Sequence, residues 1–102
     1  MLIHTVLLNP ASDASQSAFD AAMQILAQLA ETLPGMLAFH HGPNRDFEAK
    51  SQAYTYGFTC HFTDRAALEA YAANPDHQRA GALLVTHCKG GADGIFVSDL
   101  AV

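Results

Sequence analysis

The chain has 102 residues, 50% of them hydrophobic and 15% charged, with a formal net charge of −5. A slightly positive mean hydropathy of +0.09, with only 7 Gly and 4 Pro, excludes disordered, collagenous and low-complexity classes. The length suits one compact domain over residues 1–102, and five scattered basic residues against ten acidic ones argue against a nucleic-acid or anionic-membrane surface.

The start, Met1 to Leu8, is apolar but lacks a basic n-region and meets Asn9-Pro10 at once, unlike a signal peptide. No stretch approaches the roughly 20 apolar residues of a membrane span. A cytoplasmic protein is expected, with Cys60 and Cys88 as free thiols rather than a secreted disulfide framework.

Leu2 to Leu8 is a short β-branched run whose length favours a strand. Asp13 and Gln16 have the spacing of a capping box, and Phe19, Met23, Leu26, Leu29 and Leu33 then recur at helical intervals until Pro34-Gly35. Met36 to His41 reads as a second strand, Gly42-Pro43-Asn44 as a turn, Arg45 to Ser51 as a charged loop, and Gln52 to Phe62 as a third strand. Thr63-Asp64 caps a short helix through Tyr71. Asn74-Pro75 breaks it, with Asn74 as a new N-cap and Pro75 at the first position of a helix running to about His87. Lys89-Gly90-Gly91 ends that helix, and Gly94 to Val102 reads as the last strand.

The order β-α-β-β-α-β implies an α+β, ferredoxin-like unit, a four-stranded antiparallel sheet with its helices on one face. Alternation along the first strand puts Leu2, His4, Val6 and Leu8 on one face and Ile3 and Leu7 on the other. Two helices cover one face only. A partner chain packing sheet against sheet, in a homodimer, is the simplest cover for the second; partial exposure of Ile3, Leu7 and Phe96 in a monomer is the alternative.

Six histidines are the compositional oddity. His40 and His41 are strand neighbours pointing to opposite faces, and His77 and His87 are ten residues apart on one helix, so neither pair shares an ion. With no HxxxH, no CxxC and no carboxylate cluster, no metal site is expected. His4 interrupts an apolar strand and needs a hydrogen-bond partner, which a backbone carbonyl in the core would supply. Tyr71 and His77 would be about 240° apart on a continuous helix, but the Asn74-Pro75 break lets them converge. His77 would then be the third residue of the new helix, whose positive end favours a neutral imidazole able to take a proton beside a phenol able to donate one. A core tyrosine beside a histidine that merely packs at the start of the helix is the plainer reading. Without a nucleophile elbow, phosphate loop or dinucleotide fingerprint, chemistry here would be acid–base work with no cofactor.

The strand-one histidine, Pro34-Gly35, Gly42-Pro43-Asn44, the aromatic third strand with Tyr54 and Gly57, and above all Phe62 to Tyr71 leading into Asn74-Pro75-Asp76-His77 form a pattern. It resembles the stress-responsive dimeric α/β-barrel family, Dabb, across nearly the whole chain. The resemblance implies a ferredoxin-like protomer whose sheet joins that of a second chain to make a barrel. Most members have no assigned reaction. One branch, of polyketide cyclases, closes a linear polyketide by intramolecular aldol condensation without a cofactor, and its pocket histidine, tyrosine and histidine match His4, Tyr71 and His77. The implied roles are His77 as base, Tyr71 as donor to a developing oxyanion and His4 as a polar orienter. The function expected is therefore binding of a small apolar or aromatic ligand between sheet and helices, with acid–base chemistry. A non-catalytic, stress-linked oligomer and a cofactor-free monooxygenase are the alternatives.

Overall fold

In the computed structural model, which describes all of residues 1–102, the apolar run Leu2–Leu8 forms β1, at the interior of a four-stranded sheet. The remaining strands are β2 (Met36–Pro43), β3 (Tyr56–Phe62) and β4 (Ile95–Ala101), in the spatial order β2-β3-β1-β4 with every neighbour antiparallel. Three helices, α1 (Gln16–Thr32), α2 (Arg65–Ala73) and α3 (Pro75–His87), accompany it, and a short 3-10 turn over Gly91–Gly94 leads into β4. This is the β-α-β-β-α-β arrangement expected from the sequence, with the second helix broken in two. No helix is long and apolar enough to cross a membrane.

The core lies between the helices and one face of the sheet. Val6 and Leu8 of β1 with Phe58, Cys60 and Phe62 of β3 are at most 5% exposed, and they meet the α1 stripe of Phe19, Met23, Leu26 and Leu29. Each such side chain contributes on the order of 1.5–3 kcal/mol by leaving water. Gly35 has φ +83°, and a Cβ there would stand 2.6 Å from that of Ala67, so only glycine lets the chain turn this close to α2.

Three boundaries differ from expectation. The Asp13–Gln16 capping box does not form: α1 begins at Gln16, Ser15 holds the N-cap position without a side-chain cap, and the Gln16 amide instead donates to Asp20. β2 continues through Gly42 and Pro43, which pair with Gly57 and Tyr56, so the turn starts two pairs later. β3 begins at Tyr56 and not at Gln52, because the preceding backbone is captured by side chains. The Asp46 carboxylate accepts from the Lys50 and Ser51 amides and the Ser51 hydroxyl, and Asn44 donates to the Tyr54 carbonyl. Asx-type bonding of this kind competes with a strand ladder.

The opposite face of the sheet carries no helix. Registers across all four strands align its side chains in rows: Gly42, Gly57, Leu7 and Phe96 in one, His40, Thr59, Thr5 and Ser98 in the next, and Ala38, His61, Ile3 and Leu100 in the third. Phe96 is 50% exposed and Leu100 58%.

Candidate functional site

A cavity of about 310 Å³ opens between β1, β3, β4 and the α2–α3 corner. Its walls are mostly apolar, including Phe58, Leu68, Leu84 and Ile95, and three polar rings reach it: His4, Tyr71 and His77. Each arrives for a local reason. His4 faces inward by the strand alternation that buries Val6 and Leu8. Tyr71 lies on the inner side of α2, a helix started by the Asp64 carboxylate accepting from the Ala67 amide. His77 follows Pro75 in α3, where the Asn74 side chain accepts from the Asp76 amide at 2.8 Å.

The break between the helices brings Tyr71 and His77 together, with ring centroids 4.3 Å apart. His4 lies 6.0 Å from Tyr71 and edge-on to it. The His77 Nδ1–H donates to the Ala72 carbonyl at 3.2 Å, which leaves Nε2 as the proton-accepting nitrogen. Burial lowers the His77 pKa below its ordinary 6.5, with His4 adding to the effect and the Ala72 carbonyl opposing it. A neutral ring was expected from the helix N-terminus; removal from water is the dominant cause.

Tyr71 is 1% exposed. Its hydroxyl accepts a long, 3.8 Å bond from the Cys60 thiol, and no acceptor in the protein takes its own proton. Burial, with Cys60 adjacent, pushes the phenol well above its usual range, so it remains a donor at every physiological pH. The Cys60 thiol is itself pushed up to about 12 by burial, which removes it as a nucleophile. Cys60 and Cys88 are both buried, free thiols.

The partner of His4 is not a backbone carbonyl. Asp99 stands directly across the β1–β4 ladder, and its carboxylate accepts from His4 Nδ1 at 2.7 Å. The His4 side chain is 12% exposed and that of Asp99 42%. Asp99 fixes the ring's orientation and leaves its Nε2 edge free. Sequence reasoning missed this residue, although it is the sole charged residue of β4 and antiparallel register brings it opposite His4.

The other histidines are placed apart from this group. His40 is on the open face beside His61; His41 faces the helices, 2.6 Å from the Tyr56 hydroxyl; His87 accepts from the Ser15 amide. No three His, Cys, Asp or Glu side chains gather in a metal-holding cluster.

Among solved structures, a dimeric ferredoxin-like protein of unknown function from Jannaschia sp. CCS1 is 56% identical, covers 99% of this chain and 98% of its own, and superposes with a TM-score of 0.95. An Arabidopsis thaliana protein is 24% identical over 100% of this chain and 95% of that one, with a TM-score of 0.81. A hydroxynitrile lyase from Passiflora edulis shares the fold at 16% identity, covering 99% and 92% of the two chains with a TM-score of 0.80. No curated protein matches. The stress responsive A/B barrel domain matches residues 2–102, and with the match running from β1 through β4 the chain belongs to that family, Dabb.

Proposed function

We propose that this chain is a homodimer that binds a small, largely apolar or aromatic carbonyl compound in the pocket between sheet and helices, and that it moves a proton there without a cofactor. The observation carrying this reading is the convergence of Tyr71 and His77 at 4.3 Å on an otherwise apolar wall. Apolar walls exclude water and hold the ligand, while a few polar groups orient it, and the cavity is at the small end of the roughly 300–1,000 Å³ typical of ligand sites.

In the proposed step the ligand's carbonyl oxygen accepts from the Tyr71 hydroxyl. Nε2 of His77 takes a proton from the carbon next to that carbonyl, and its C–H electron pair moves into an enolate whose charge the phenol stabilises. The imidazolium then returns the proton to the ligand, so no external acid or base is consumed. His4, held by Asp99, offers a third polar contact to the ligand. Homodimerisation is supported by the uncovered apolar residues Phe96 and Leu100 and by the dimeric state of the 56%-identical Jannaschia protein.

Acetophenone, a small aromatic ketone, is a suitable probe. Wild-type protein is expected to shift the ring resonances of His4 and His77 saturably and to accelerate exchange of the ketone's methyl protons with deuterium oxide. His77→Ala should lose the acceleration and Tyr71→Phe most of it. Exchange at the buffer rate would remove the chemistry, and unshifted histidine resonances with both acetophenone and any molecule retained in native mass spectrometry would remove the binding role.

A further inference from the structure

Four of the six histidines have a hydrogen-bond partner: His4 in Asp99, His41 in Tyr56, His77 in the Ala72 carbonyl and His87 in the Ser15 amide. His40 and His61 have none, and their rings stand beside each other across the β2–β3 ladder with centroids 6.3 Å apart. The register explains the approach. His40 is opposite Thr59 and His61 opposite Ala38, so the two are diagonal neighbours whose side chains both leave the sheet on its open face. They are the only titratable side chains in the three rows of that face, where no carboxylate, lysine or arginine is available to pair with either.

We infer that His40 and His61 form a two-histidine clip for a late first-row divalent cation such as Zn2+ or Cu2+, each ring giving one nitrogen and water filling the remaining positions. Imidazole suits zinc, copper and nickel, whereas magnesium and calcium are held by carboxylate and carbonyl oxygens, and no side chain of this face supplies one. Metal–nitrogen bonds of about 2.0–2.1 Å put two ring centres about 5 Å apart at the tetrahedral angle and about 6 Å apart when the rings lie on opposite sides of the ion. The observed 6.3 Å is at the wide end of that span, and a swing of about 1 Å by the exposed His40 ring closes the tetrahedral arrangement. The rings cross at 75° instead of stacking, so an edge of each can turn toward a common ion.

Thr59, directly opposite His40 and next to His61 on the same face of β3, has a hydroxyl with no partner in the chain, so it can hydrogen-bond a water on the ion. Two protein ligands make an open, exchangeable site, unlike the closed four-ligand set of a structural zinc. The clip is on the opposite side of the sheet from His4, Tyr71 and His77, and it requires neither the chemistry of that pocket nor a second copy of the chain. No HxxxH-type spacing announces it, because the two ligands meet only through strand register.

Zinc chloride titrated into the wild-type protein, in a non-coordinating buffer at about pH 7.5 where imidazoles are free of protons, tests this by calorimetry and by the histidine ring resonances. One ion should bind per chain, and the His40 and His61 resonances should shift on one common saturation curve. His40→Gln and His61→Gln should each weaken zinc binding by roughly tenfold or more, and the double variant little further than either, because one imidazole alone scarcely holds the ion. His41→Gln, next to the clip on β2 but directed to the other face, should bind zinc as the wild type does. Copper(II) should bind more tightly than zinc, and magnesium should leave the resonances in place. Circular dichroism checks the fold of each variant, and the wild-type resonances carry the test if a variant does not fold. The clip is overturned by the absence of saturable zinc binding below about 1 mM, by zinc that moves other histidines while His40 and His61 stay in place, or by a loss in His41→Gln equal to that in His40→Gln.

Discussion

The two faces of one sheet behave as different materials although they come from the same four strands. On the helix side, Leu8 and Phe62 are fully buried and their neighbours nearly so, and the cavity near the β4 edge is interrupted by the polar groups of His4, Tyr71 and His77. On the open side, residues one position away, Leu7 and Ile3, are only partly covered, and Phe96 and Leu100 stand in solvent in the isolated protomer. Strand alternation alone assigns residues to faces; what covers each face decides its role. The covered face builds the fold and shelters the candidate pocket. The uncovered face has shape and hydrophobicity with no use inside one chain.

Stability should separate the two faces most strongly. Leu8→Ala should cost about 2–5 kcal/mol in urea unfolding, since the vacated space is lined on all sides. Leu7→Ala should cost the dissociated protomer only about 1 kcal/mol, because that side chain is already partly in water. Equal losses for the two leucines would erase the distinction between the faces.

A more modest change probes how the covered face builds its site. Asn74→Ala removes the cap that starts α3, and should destabilise the protein by about 1 kcal/mol. It also loosens the turn that sets His77 against Tyr71, so acetophenone exchange should fall further than the loss of folded protein explains, by about tenfold. An exchange rate that tracks the folded fraction alone would show that the cap serves only stability.

Weakest of all should be a pH dependence. Burial holds the folded-state pKa of His77 below its ordinary 6.5, so the unfolded chain binds this proton more readily than the folded one. The neutral ring's contribution is complete above pH 6.5 and is withdrawn as pH falls below it. Urea midpoints of the wild type should therefore drop more between about pH 7.5 and about 5.5 than those of His77→Gln. Parallel curves would place His77 in water rather than in the pocket wall.

Much of the site was readable because it depends on local chemistry. The Asn74-Pro75 pair announces a helix break, and a break of that kind is what allows two side chains six residues apart to face one another. The inward direction of His4 follows from counting along β1. Asp99 was not found because its importance comes from a partner 95 residues away, and that pairing exists only once β1 and β4 are in register. The start of β3 was misplaced for a related reason. Gln52 to Thr55 are compatible with a strand, yet Asp46 and Asn44 draw neighbouring polar groups into a loop, a competition invisible to a count of aromatic residues.

The order of elements, the division of each strand into two faces and the helix break all follow from period, turn residues and caps within a few positions of one another, and so were written in the chain itself. Other relations came into being only with the assembled sheet: that His4 is held by Asp99, that Tyr71 receives the Cys60 thiol, and that Gly42 and Phe96 lie at opposite ends of one row. Those relations depend on strand register, which is set by the packing of the whole sheet against its helices, and no local pattern contains it.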